Sequence, residues 1–310
     1  MKKGMQTYLL ILISIMVVVI MGSYTKKSNN NLAASASIME DKIIPQVVKG
    51  SDLNKRFEFA GELIPTKNFD VRERLDRELT VNTYYHSSTL LNIKKAARFF
   101  PVIEQILAEN GLPEDLKYIA VAESNLSNAV SPAGAKGFWQ FMKSSADQYG
   151  LEVNSEVDER YHIEKATQAA CKYFKYLKKR FGTWTMAAAA YNVGPTRLAR
   201  TITEQRAEEY YDLNLNEETS RYVFRLIAIK EVMQNPSSFG FYVDEEEKYP
   251  PLFDYSVVQV KGSVENFGDF AKKYNTNYRT LKVFNPWLID SRLTNRSRKT
   301  YEIKIPGKKF

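Results

Sequence analysis

Between Val71 and Asn235 apolar residues recur at spacings of three and four, and Gly or Pro closes the runs at Gly111, Gly182, Gly194-Pro195 and Pro236. That period matches the turn of an α-helix, and glycine or proline is where such helices stop. The spacing predicts helices over "VRERLDRELTVNTYYH", "LLNIKKAARFFPVIEQILAENG", "PEDLKYIAVAES", "KATQAACKYFKYLKKRFG", "WTMAAAAYN" and "ETSRYVFRLIAIKEVMQNP". This stretch is therefore an all-α domain. Past Pro236 the texture changes: "DEEEKYPPLF" reads as a linker, "YSVVQVKG" and "TYEIKIP" alternate like strands, and "SVENFGDFAKKYN" and "NYRTLKVFNPWL" read as short helices. The order β-α-α-β marks a small separate α+β module, so the fold class is mainly α with a second, smaller domain.

Ahead of these, Lys2 and Lys3 precede an uncharged apolar run from Tyr8 to Met21, the layout of a secretory signal and short for a spanning helix. The sequence leaves a cleaved signal and an uncleaved anchor both open. Residues 25–56, rich in Ser, Asn, Ala and Lys, suit a spacer. The expected organisation is 1–24 signal or anchor, 25–56 spacer, 57–240 helical domain, 241–254 linker and 255–310 small module.

The formal net charge of +8 favours an anionic partner such as a membrane surface or an acidic cell-wall polymer. The basic residues are scattered, with no Lys/Arg block, which ranks nucleic acid last. Cys171 is the only cysteine and reads as a buried thiol in a helix. His86 and His162 are the only histidines and form no ligand-spaced cluster, so neither a metal site nor a Ser-His-Asp triad is expected, and no cofactor.

The chemistry concentrates in "AVAESNLSNAVSPAGAKGFWQFM". Leu116, Ile119, Ala120 and Glu123 share one helical stripe, so the Glu123 carboxyl is partly desolvated and its pKa raised, as a general acid requires. A structural carboxylate satisfied by a neighbour is the competing reading of the same placement. The loop that follows holds Ser131, Gly134 and Gly137, where small residues let a backbone pass close to a ligand. Phe138, Trp139 and Gln140 offer apolar faces and an amide, a mixture that suits sugar rings, while Phe141 and Met142 read as core. In "AAAAYNVGP" an alanine run presents Tyr191 and Asn192, and "ETSRYVFRL" carries Tyr222; each tyrosine is either a packed side chain or an orienting group for the acid.

In this order, "ES", "SPAGAKGFWQF", "DERYHIEKAT", "AAYNVGP" and "ETSRYV" resemble the lytic transglycosylases related to goose-type lysozyme, especially those of the membrane-bound murein transglycosylase D type. The resemblance covers roughly residues 57–236 and implies a lysozyme-like helical fold. It makes Glu123 the single catalytic acid, has Ser124 and Gln140 line a glycan cleft with Ser131, Phe138 and Trp139 as further substrate contacts, and has Tyr191, Asn192 and Tyr222 orient acid or substrate. It also implies a reaction: protonation of the oxygen between N-acetylmuramic acid and N-acetylglucosamine, then proton removal from the muramic C6 hydroxyl, giving a 1,6-anhydro end. Ordinary glycosidases use two carboxylates. Asp147 and Asp158 are the nearest downstream candidates for a second and read as structural.

The implied partners are peptidoglycan glycan strands and, through the N-terminal segment, the cell membrane; the implied location is the bacterial periplasm. The last module resembles a LysM glycan-binding domain but departs from it at "VKGSVENFGDFA", which leaves glycan binding and packing against the helical domain both open. The rival functions are a hydrolytic muramidase on the same fold and a non-catalytic cell-wall binding or scaffold protein.

Overall fold

The computed structural model describes residues 49–307. The proposed signal or anchor lies outside them, and among the described residues no helix is long and apolar enough to cross a membrane. A two-residue antiparallel hairpin, β1 (Glu58–Phe59) and β2 (Glu62–Leu63), precedes eight helices: α1 (Phe69–Tyr84), α2 (His86–Glu109), α3 (Lys117–Ser124), α4 (Lys143–Gln148), α5 (Ile163–Phe181), α6 (Trp184–Val193), α7 (Pro195–Gln205) and α8 (Glu217–Gln234). The six long runs read from the sequence are all helical, and Pro101 is accommodated inside α2.

Three of the eight starts carry side-chain caps. Asn68 accepts from the Asp70 amide, Thr183 from Met186 and Asn216 from Thr219, each satisfying an amide that has no partner within its helix. Helix α8 lies at the centre. It packs against α1, α3 and α6, and its Tyr222, Val223, Phe224, Leu226, Ile227, Ala228 and Val232 are buried. A helix buried along most of its length has to be enclosed, and its neighbours do this. From β2, the Glu62 carboxylate accepts from the Trp184 and Thr185 amides at 2.6 and 2.8 Å, pinning the start of α6. Cys171 is buried in α5, and burial pushes its thiol up to about 11.

The C-terminal module has the expected order: β3 (Tyr255–Val260), α9 (Phe267–Lys273), α10 (Tyr278–Phe284) and β4 (Tyr301–Pro306). The strands pair antiparallel from Tyr255↔Pro306 to Val260↔Tyr301. The module has its own apolar core and also packs against the helical domain, one of the two readings left open by the sequence. Val157 of the helical region belongs to the module's own apolar core and bridges to Leu288, and the Asp158 amide donates to the Trp287 carbonyl at 2.9 Å. His162 stacks on Trp287. The segment read as a linker is held too: the Tyr249 amide donates to the Lys94 carbonyl and Arg98 Nε to the Pro250 carbonyl, both at 3.0 Å.

Candidate active site

Three helices converge on one carboxyl. Glu123 sits in the last turn of α3, which stops because Asn125 takes a left-handed conformation with φ 50° and ψ 42°, one that asparagine tolerates. The Tyr222 hydroxyl, reaching from α8, donates to Glu123 Oε1 at 2.6 Å. Burial is the main influence on Glu123 and raises its pKa; the Tyr222 bond opposes this, the Glu218 charge adds to it and Arg225 opposes it, with a net upward shift. The negative end of the α3 dipole also disfavours the ionised form. Glu123 nevertheless keeps some exposed surface, so a ligand can reach it.

Tyr191, on α6, donates its hydroxyl to the Trp139 carbonyl at 2.5 Å and fixes the small-residue loop against α6. Burial holds its phenol far up, and the Glu123 charge adds to this, which puts both groups in one electrostatic neighbourhood. Asn192 Oδ1 accepts from the Thr219 hydroxyl at 2.7 Å, and Asn192 Nδ2 donates to Glu218 at 3.3 Å, tying α6 to the first turn of α8. Buried Glu78 accepts from Arg221 Nε at 2.6 Å and lies 3.8 Å from Arg225 Nε, holding those two cations on the α8 face that borders a 260 Å³ cavity.

The profile of the Transglycosylase SLT domain family matches residues 100–214, and that of the soluble lytic transglycosylase C-terminal LysM-like domain matches residues 256–309. The chain carries an SLT transglycosylase domain. A LysM-like domain follows it. The chain is 29% identical over 233 residues to a membrane-bound lytic murein transglycosylase D of Escherichia coli K12, covering 73% of this chain and 50% of that one, so it spans about half the length of the curated relatives it matches. Among solved structures it is similar to lytic transglycosylase Slt of Pseudomonas aeruginosa (an inactive mutant; 21% identity, 49% of this chain, 26% of that one, TM-score 0.37). It is also similar to the 70 kDa soluble lytic transglycosylase of Escherichia coli (15% identity, 60% and 37%, TM-score 0.39). Those two likenesses are too distant to carry an argument.

The structure puts the Tyr222 hydroxyl on Glu123, Tyr191 within reach of the Glu123 charge, and Asn192 on Thr219 and Glu218, while several other candidates lie elsewhere. Trp139 is fully buried against Phe174 with its indole N–H donating to the Thr167 hydroxyl at 2.9 Å, so it is core and offers no face to a sugar. Phe138 is buried edge-on to Phe99. Ser124 is buried; its hydroxyl donates to the Ala120 carbonyl and accepts from the Ser127 amide, which closes the end of α3. Ser131 and Gln140 shape the loop: Ser131 Oγ accepts from the Ala135 amide, and Gln140 Nε2 donates to the Ala129 and Gly137 carbonyls.

The glycine argument also changes. A Cβ on Gly137, at φ +79°, would lie 1.9 Å from the Arg160 carbonyl oxygen, so the close approach is to the protein's own backbone. Met142, read as core, is 43% exposed ahead of α4.

Asp147 is exposed on α4. Asp158 is enclosed and grips Arg160 with both oxygens, at 2.8 and 2.7 Å. The carboxylate that does reach Glu123 electrostatically is Glu218, exposed at the start of α8 and not singled out from the sequence. Its signal was present: Glu218 lies four residues before Tyr222 and shares its helical face. Among the described residues no three His, Cys, Asp or Glu side chains gather to hold a metal ion.

Proposed function

We propose that this chain is a peptidoglycan lytic transglycosylase of the bacterial cell envelope, cutting between N-acetylmuramic acid and N-acetylglucosamine without water. The observation that carries the reading is the Glu123 carboxyl, pushed up by burial and held by the Tyr222 hydroxyl, inside an SLT domain. A carboxyl kept protonated near neutral pH can donate its proton to the bridging glycosidic oxygen as the C1–O bond breaks. The resulting carboxylate then takes the proton of the muramic C6 hydroxyl as that oxygen bonds C1, which closes the 1,6-anhydro ring and returns Glu123 to its starting state. Tyr222 hydrogen-bonds Glu123 in both states, and Tyr191 and Asn192 hold the loop and α8 around it.

Glu218 favours a second reading. An exposed carboxylate on the same helical face as Tyr222 could activate water, which would make the chain a muramidase. We assign residues 57–240 to catalysis and 255–310 to the LysM-like module. The named partner is the glycan strand, and the membrane-bound relative supports placement at the envelope.

Mass spectrometry of fragments released from purified sacculi separates the two. Muramic ends one water lighter than the hydrolytic product are expected, and their absence with Glu123→Gln. Ordinary reducing ends would transfer the role to Glu218 and water.

A further inference from the structure

Glu123 lies near an arginine with which it does not pair. Arg225 stands one turn after Tyr222 on α8, and it lines the 260 Å³ cavity together with Ala122 and Asn125, the residues that bracket Glu123 and Ser124 at the end of α3. Its charge acts on Glu123 in opposition to burial. A cation packed beside a desolvated carboxyl gains by closing on it, because pairing offsets the cost of burying charge. The ion pair that Arg225 does make is with Glu78.

Glu78, on α1, is fully enclosed and has three arginines around it. Arg221 Nε donates to Oε1 at 2.6 Å, Arg77 Nη1 lies 3.5 Å from the same oxygen, and Arg225 Nε lies 3.8 Å from Oε2. Oε2 accepts no hydrogen bond, so charge attraction alone draws Arg225 to it. Arg77 and Arg221 also pair with Glu217, at 3.6 and 3.5 Å, whereas among the described residues Arg225 pairs with Glu78 alone. The other titratable groups of this neighbourhood leave that balance intact. Glu218 and Tyr222 from α8 and Tyr191 from α6 face Glu123 and are not cations, Lys95 from α2 donates to the Asn125 carbonyl, and the Tyr210 phenol lies within the field of Glu78.

We propose that Glu78 is a positioning residue for the acid: its charge draws Arg225 toward α1 and keeps the guanidinium from pairing with Glu123, which is left with the neutral Tyr222 hydroxyl as its hydrogen-bond partner. Glu78 acts only through Arg225. The proposal rests on the transglycosylase reading for its consequence in turnover, while the placement of charge is tested without substrate.

The test is a carbon-13 NMR titration of the Glu123 carboxyl in the full chain. Glu78→Gln keeps the shape, removes the charge that holds Arg225, and should lower the Glu123 midpoint by about one pH unit, the small end of what an opposite charge at pairing distance does. Arg225→Gln should raise the midpoint. Adding Glu78→Gln to Arg225→Gln should then change nothing further, since no cation is left to release. A residue that merely ties α1 to α8 would alter stability and leave the midpoint where it was. An unmoved or raised midpoint in Glu78→Gln, or the same fall with and without Arg225, would overturn the proposal.

Glu78→Gln leaves Arg221 without its closest partner. If that variant does not fold, Glu78→Gln/Arg221→Gln removes both members of the 2.6 Å contact, strands neither charge and still frees Arg225. The same fall is expected there, and its absence would overturn the proposal. The pH–rate profile on purified sacculi supplies a second readout. A lowered Glu123 loses its proton at lower pH, so the alkaline limb should move down in Glu78→Gln and up in Arg225→Gln. A limb that stays while the midpoint moves, or no fragments from the unaltered protein, would instead count against the transglycosylase reading, which the midpoints do not depend on.

Discussion

Two enclosed carboxyls flank the loop after α3, Glu123 before it and Asp158 beyond it, and their surroundings drive them in opposite directions. Burial would raise both. At Asp158 the charge and hydrogen bonds of Arg160, with the charge of Lys136, outweigh burial and hold the carboxyl below its ordinary range. At Glu123 the one hydrogen bond comes from a neutral phenol, Glu218 adds repulsion, and burial prevails. A desolvated carboxylate stays ionised only when it is given compensating charge. Asp158 receives that charge and serves as a structural joint, its backbone amide bonded to the LysM-like domain. Glu123 has only the more distant charge of Arg225 to oppose burial, and its carboxyl is raised, as the proposed proton donor requires.

The largest effect separating these two acids should come from Glu123→Gln, which keeps the shape and removes the proton. Turnover should fall by about 10²–10⁴-fold. The melting temperature should hold or rise, because a carboxyl whose native pKa is raised lessens stability as pH climbs above its unfolded value. Appreciable remaining turnover would break the contrast.

Asp158→Asn should do the reverse. It leaves Arg160 enclosed without its partner and is expected to cost about 3–5 kcal/mol in denaturant unfolding, with activity per folded molecule little changed. The native pKa of Asp158 is depressed, so its contribution is present at neutral pH and is lost as pH falls below the unfolded value of 3.8 toward the lowered native one. Gly137→Ala should cost about 1–3 kcal/mol through overpacking against the Arg160 backbone, read by the same unfolding curve.

The smallest and most diagnostic effect belongs to Tyr222→Phe. Removing a bond that favours the Glu123 carboxylate should raise the Glu123 pKa further, so the alkaline limb of the pH–rate profile shifts to higher pH while turnover falls about tenfold or less. An unmoved limb would mean that Tyr222 is a packing residue.

The helices were legible in the sequence because a period sustained over many turns is a redundant signal, and Glu123 because it interrupts an apolar stripe. That Tyr222 and Tyr191 would lie near Glu123 was offered only by the resemblance; periodicity alone left each tyrosine undecided. The environment of Trp139 was illegible, since whether an indole faces a cleft or the core depends on a distant Thr167 that satisfies its N–H. Gly137 carried a true signal of close approach whose partner, Arg160, no local pattern names. The β1–β2 hairpin is too short to show alternation. The one helical-region residue that enters the LysM-like core as a fully buried member is Val157, a lone apolar residue in a polar loop that no pattern marks as a docking point.

The central claim is that the surroundings of Glu123 raise its carboxyl above the ordinary range, and the most direct measurement is a carbon-13 NMR titration of the glutamate side-chain carboxyls. Comparison with Glu123→Gln assigns the resonance. A Glu123 midpoint above the ordinary value of 4.5 is expected. A midpoint at or below 4.5 would mean that Glu123 is a compensated carboxylate like Asp158, and the assignment of the catalytic acid would fall.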